Sequence, residues 1–163
     1  MFKLNTISEH INEMAMAYKP LEYVDYSQIS LKKEYDKLNK VLFDNSLPDI
    51  PLKWDKRKGA SGHVRSVRFR SGTKSSIKHL SMSVFYKATY REFLDTLAHE
   101  MIHVHNIHNE LDTKMFDPHG VHFIKEMDRI NSLGHGFNIS ITKDSSNLRV
   151  SDNIKMKKPL IAL

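Results

Sequence analysis

The chain has 163 residues, 40% of them hydrophobic and 27% charged, the balance of an ordinary folded domain rather than of a disordered segment. It contains no cysteine, which excludes a disulfide scaffold, a zinc ribbon, an iron–sulfur cluster and a thiol nucleophile together. The formal net charge of +6 is concentrated: residues 51–90 carry ten basic side chains against one acidic, and the flanking stretches are slightly acidic. No apolar run approaches the roughly 20 residues that cross a bilayer, and the polar start MFKLNTISEHINEM does not read as a signal peptide. The expectation is a soluble intracellular protein with no membrane partner, cytoplasmic, or nuclear if the host is eukaryotic. Nothing repeats, so residues 1–163 read as a single domain.

Thr6-Ile7-Ser8-Glu9 has the spacing of a capping box, and Ile11, Met14 and Tyr18 follow at helical intervals until Pro20. A second helix is predicted over about 28–44, with Leu31, Tyr35, Leu38, Val41 and Leu42 on one stripe, broken by Asn45-Ser46-Leu47-Pro48. From 49 to 88 the pattern shifts to short strands at Ile50–Trp54, His63–Phe69 and Leu80–Val84, separated by Lys56–Gly59 and Ser71-Gly72. These predict a small, mostly antiparallel three-stranded sheet whose polar face carries Arg65, Arg68 and Arg70. Thr89-Tyr90-Arg91-Glu92 is another capping box and opens a helix to about Ile107. The next helix spans about 120–132, with Phe123, Met127 and Ile130 at helical spacing. Phe137–Thr142 predicts a last strand, and the basic tail 143–163 is expected to fray. The fold class is α+β, with helices packed on the sheet.

The strongest chemical signal is His99-Glu100-Met101-Ile102-His103, an H-E-x-x-H inside a predicted helix. Residues four apart on a helix lie about 40° apart, so both imidazoles can reach one metal ion, with Glu100 about 100° round from His99. Phe93, Leu97, Met101 and Val104 form the opposite, burying stripe. Catalytic zinc takes three protein ligands and keeps one open position, so a third ligand must come from a later segment. The metzincin pattern fails, because Asn106 and Asn109 stand where it requires Gly and His. The candidates are His119, bracketed by the turn residues Pro118 and Gly120, then His122 and Glu126. The plainer alternative is a helix bearing two satisfied, partly buried histidines.

Leu97-Ala98-His99-Glu100-Met101-Ile102-His103, then His119-Gly120-x-x-Phe123, then Met127-x-x-Ile130-Asn131, resembles the SprT-like (Spartan) metalloprotease family. Tyr35–Phe43 with Leu47-Pro48, and Ile50–Trp54, are similar to that family as well, so the resemblance covers about 28–142. It implies a zincin-like fold with a central H-E-x-x-H helix. It implies one Zn²⁺ per chain held by His99, His103 and His119, with Glu100 as catalytic base. It also implies peptide-bond hydrolysis by Glu-assisted attack of a zinc-bound water, on proteins bound or crosslinked to DNA, in DNA repair. Many family members continue into a Cys-rich zinc ribbon that helps bind DNA; without cysteine, this chain reads as the protease core alone.

The basic block suggests a polyanion, since neutralised phosphates release counterions. Lys56, Arg57, Lys58, Arg65, Arg68, Arg70 and Lys74 are the candidate DNA contacts, with His63 and His79 beside them. No motif there reads base edges, so binding should be sequence-independent. Tyr86, Tyr90 and Trp54 could stack on unpaired bases, which would suit single-stranded DNA. The competing reading is a solvated basic face that serves solubility. The partners expected are a protein substrate and DNA, for a chain acting as a monomer. A function of another class remains open: a non-catalytic DNA-binding module with a structural three-histidine zinc site. His105 points away from the metal by helical geometry, and His108 and His135 are read as local hydrogen-bonding groups. Asp95, one turn before His99, either accepts a hydrogen bond from it or is a solvated helix charge.

Overall fold

The computed structural model describes residues 22–68, 75–111 and 117–142. The helix expected from Thr6, the tail 143–163, Arg70 and Lys74 lie outside the described residues. Among the described residues there are three α-helices and one three-stranded sheet, an α+β arrangement.

Helix α1 (Leu31–Phe43) follows a short 3₁₀ turn at Tyr26–Gln28 and is capped by Ser30, whose hydroxyl accepts the Lys33 N–H at 3.4 Å. It stops where Asp44 and Asn45 turn left-handed, at φ 52° and 58°. Asn39 then closes the turn, its side chain donating to the Leu47 carbonyl and accepting the Leu47 N–H, both at 3.1 Å. The predicted break at Asn45–Pro48 is therefore a turn satisfied from inside the helix.

Strands β1 (Leu52–Asp55), β2 (Gly62–Arg68) and β3 (Ser75–Ser83) lie in the order β1-β3-β2. β1 runs parallel to β3, with Leu52 opposite Leu80, whereas β2 runs antiparallel to it, with Gly62 opposite Met82 and Arg68 opposite Ser75. The sheet is thus mixed, with one pair of each kind, and not mostly antiparallel as expected. The loop after β1 wraps the end of β3 instead of folding back as a hairpin. The Asp55 and Ser61 carbonyls accept the Val84 and Ser83 N–H groups at 2.9 and 2.8 Å, and the Arg57 carbonyl accepts the Ser83 hydroxyl at 2.8 Å. Central β3 is the strand with consecutive buried residues, Leu80 to Ser83, so it takes both neighbours.

The pleat puts Leu52, Trp54, Val64, Leu80 and Met82 on the core side, and Lys53, His63, Arg65, His79 and Ser81 on the other. A register shift between Arg65 and Ser66 sets Arg65 opposite His79 and Arg68 opposite Ser75, four apart in β3, so the two hold register positions of one face. The register is consistent with the expected face as far as Arg68, Arg70 lying outside the described residues, and Lys53 and His79 share the pleat with Arg65. Trp54 and Tyr90 are corrected. Trp54 packs within 5.5 Å of the Tyr26 ring and 6.0 Å of Phe93, while the Tyr90 hydroxyl donates to buried Glu34 at 2.7 Å. Both are core residues, not platforms for bases.

Helix α2 (Tyr90–His108) opens with the predicted capping box complete: the Glu92 N–H donates to the Thr89 hydroxyl at 3.2 Å and the Thr89 N–H to the Glu92 carboxylate at 2.8 Å. Leu94, Ala98 and Ile102 are buried along with the expected stripe of Phe93, Leu97, Met101 and Val104, so most of its circumference is covered. Helix α3 (Val121–Asn131) packs against α2 through Phe123 and Ile130, and its Arg129 donates to the Leu42 carbonyl at the end of α1 at 2.7 Å. Residues 137–142 form no strand ladder. Phe137 and Ile139 are buried in alternation, as the pattern required, but Ile139 is bracketed by the Asn131 side-chain amide instead of a neighbouring strand. No helix among the described residues is long and apolar enough to cross a membrane.

Leu97 is fully buried at the centre of this packing. Leu97→Ala should lower stability by about 2–5 kcal/mol in urea denaturation, and Thr89→Ala by about 1 kcal/mol.

Candidate metal centre

His99 and His103 project from one face of α2, and His119 reaches them from just before the Gly120 N-cap of α3. One nitrogen from each ring lies within 4.8 Å of the other two, and the Nε2 atoms of His99 and His119 are 3.1 Å apart. The three ring centroids form a near-equilateral triangle of 5.0–5.1 Å. Phe123, one turn into α3, lies 4.7–4.8 Å from all three and is buried. Four residues separate it from His119, so the tight Gly-capped helix start delivers ligand and platform together.

The proton arrangement suits a cation. The Ser140 carbonyl lies 3.1 Å from His99 Nδ1, and a carbonyl can only accept, so Nδ1 carries the proton and Nε2 presents its lone pair to the cluster. Burial, reinforced by His99, His119 and His63, pushes His103 down to about 3. Burial also lowers His119, against the opposing charge of Asp117. Neutral imidazoles are the form that binds metal.

The Ser140 carbonyl is held from two helices. Asn131 of α3 donates to the Ile139 carbonyl at 3.0 Å and accepts the Ile139 N–H at 2.8 Å, and Asp95 of α2 accepts the Asn138 N–H at 3.0 Å. Asp95 therefore takes neither role expected of it: it anchors the strip that orients His99. Burial pushes its carboxyl up to about 6, with the Asn138 N–H and Arg91 acting in the opposite direction. Ser140 was missed by sequence reasoning, and only the I-N end of the α3 motif pointed toward Asn131.

Glu100 sits between the two α2 histidines in sequence, is 6% exposed, and lies against Gly62 of β2. Of the other third-ligand candidates, His122 is exposed and outside the cluster, and Glu126 is paired with Arg129 at 2.8 Å. His105 packs 5.8 Å from the Phe43 ring, away from the cluster, as its helical angle predicts. His108 is exposed, and His135 is buried with its carbonyl accepting from Arg91 at 3.0 Å.

Of the basic residues, Lys56, Arg57 and Lys58 occupy the exposed loop after β1, and Arg65 lies on the outer sheet face. Burial lowers His63, and so do Arg57, Arg65 and Lys53; His79 is lowered by burial and then by Lys53, Arg65 and His63, in both cases against the opposing charge of Asp55. Lys53 and Arg65 thus act on both histidines, and Arg57 on His63.

Three convergent imidazoles on an α+β scaffold, two of them from an H-E-x-x-H helix, form a cluster that could hold a metal ion. The SprT-like family model matches residues 31–143, and the chain belongs to the SprT-like family. It is also 36% identical over 105 residues to the DNA-dependent metalloprotease SPRTN of Xenopus tropicalis, a match covering 63% of this chain and 23% of that protein. The chain thus matches under a quarter of that relative's length.

Asn131→Ala strips both partners from Ile139 and should cost roughly 1–3 kcal/mol in urea denaturation of the metal-free protein. Asp95, with a native pKa near 6 against an ordinary 3.8, holds its proton more tightly when folded. The stability it contributes is present below about pH 4 and is lost as pH rises through about 6. Asp95→Asn should therefore gain on the wild type between about pH 4 and pH 7 when urea midpoints are compared.

Proposed function

We propose that the protein is a zinc-dependent endopeptidase, a single SprT-like protease domain with one Zn²⁺ held by His99, His103 and His119. The observation that carries this reading is the convergence of three imidazole nitrogens within 4.8 Å, one of them with its tautomer set by a carbonyl. The all-nitrogen donor set and three-ligand count suit catalytic zinc. The relative named as a metalloprotease supports the same choice. Bound zinc supplies Lewis acidity, polarising a peptide carbonyl and bringing the pKa of water near 7.

The chain's own part in the reaction falls to Glu100. As general base it takes the proton of the attacking water, and it then hands that proton to the departing amine. Burial removes competing solvent from around its carboxylate. His99 and His103 ride on a helix fixed by its packed face, so the site is oriented before substrate arrives. A buried carboxylate on the helix that carries two of the imidazoles favours hydrolysis over a purely structural zinc site.

DNA is the second partner we propose, since the SPRTN relative is named as DNA-dependent. The outer sheet face with Lys53, His63, Arg65 and His79, together with Arg57 of the loop after β1, is the surface to carry a phosphate backbone, without reading base edges. With Trp54 and Tyr90 in the core, the case for single-strand stacking loses two of its three aromatics.

Purified protein should hold about one zinc per chain, lost in His99→Ala, while Glu100→Gln should keep metal and fold but abolish proteolysis. Undiminished cleavage by Glu100→Gln would remove the mechanism. For the DNA partner, Lys53→Glu/Arg57→Glu/Arg65→Glu should leave cleavage of a short peptide intact and flatten the salt dependence of DNA affinity. The lost contribution to the log–log slope should be about 3.

A further inference from the structure

We propose that Gly62 is a positioning residue for Glu100: the missing side chain at the start of β2 opens the slot in which the carboxylate is held. The proposal rests on the reading of Glu100 as the base. A Cβ built on Gly62 would lie 2.5 Å from Glu100 Cγ, 2.9 Å from Cδ and 2.8 Å from Oε1, where ordinary contact begins at 3.4 Å. The three short approaches run from Cγ to the carboxylate, so the outer part of the glutamate occupies the space that a Cβ at Gly62 would need.

Backbone conformation does not explain this glycine. The described glycines with positive φ are Gly59, Gly134 and Gly136; Gly62 is a regular ladder residue opposite Met82, a conformation open to any L-residue. Glycine within a strand weakens it and often marks the close approach of another group. Here that group is the catalytic glutamate.

The backbones on both sides of the contact are held in place, so the glutamate side chain is the part that must move. The residue before Gly62 accepts the Ser83 N–H at 2.8 Å, which pins the start of β2 to the buried end of β3. On the other side, Glu100 stands on α2 between fully buried Ala98, Met101 and Ile102. A methyl group at position 62 must therefore displace the glutamate side chain by about 1 Å, and a misplacement of that size in a reacting group costs about a hundredfold in rate.

The test is a double-variant cycle with Gly62→Ala and Glu100→Ala, read first as Tm of the metal-free protein. Gly62→Ala should lower Tm by about 3–10 °C with Glu100 present and by much less with Glu100→Ala, because the Cγ and carboxylate it meets are gone. A Gly62→Ala protein that fails to fold while the double variant folds supports the proposal equally. In the zinc-loaded protein, Gly62→Ala should lose about a hundredfold in kcat on a short peptide, with KM within about twofold and zinc content unchanged. Equal Tm losses in both backgrounds would overturn the contact. Coupled Tm losses with unchanged kcat would overturn the positioning role and leave packing alone. Activity surviving in Glu100→Gln would overturn the base assignment and this proposal with it, and the Tm cycle would still report the steric contact separately.

Discussion

The site depends on the burial of α2. A helix with Phe93, Leu94, Leu97, Ala98, Met101, Ile102 and Val104 all inside the core cannot rotate or slide without exposing apolar surface. Its remaining face, carrying His99 and His103, is therefore fixed in direction before any ligand binds. The sheet covers the helix on one side through Trp54, Leu80 and Met82, and the complete Thr89–Glu92 capping box defines where it begins. Two imidazoles four residues apart become a preorganised pair because hydrophobic packing leaves them no alternative.

Polar groups close the arrangement where packing ends. His119 arrives on a turn capped by Gly120, with Phe123 beneath all three rings, and Arg129 ties α3 back to the last turn of α1. The strip from Asn138 to Ser140 is held by Asp95 from one helix and Asn131 from another, and its last carbonyl selects the His99 tautomer. Three elements thus agree on the placement of one imidazole nitrogen. In a low-dielectric site each unsatisfied member would be costly, so such a network specifies geometry as well as stability.

The sheet has two jobs on its two faces. Its core face buries α2 and brings Gly62 against Glu100; its outer face gathers Lys53, His63, Arg65 and His79. Because successive residues of a strand point to opposite faces, Gly62 and His63 serve the two faces from neighbouring positions.

Much of this was legible in the sequence, for local reasons. Capping, helical periodicity and the i, i+4 spacing of His99 and His103 are properties of short segments, so α1, α2, α3 and the two-imidazole face could be read directly. The Pro-His-Gly turn, with the family pattern, also pointed to His119. Pairing partners were not legible. Ile50–Trp54 and His63–Phe69 read as strands of a mostly antiparallel sheet with no strand order, but the loop between them wraps the end of β3, and β3 enters between them, parallel to the first. Alternation at Phe137–Ile139 marked burial correctly, yet a side-chain amide supplies the partner that a strand would have supplied. Trp54 and Tyr90 sit beside basic residues in sequence but face the core, because strand pleat and helix angle, not proximity along the chain, decide which side meets water. Local spacing determined the chemistry available to this protein; tertiary packing alone decided which groups converge, since hydrogen-bond partners and close approaches such as Gly62 to Glu100 join residues far apart in the chain.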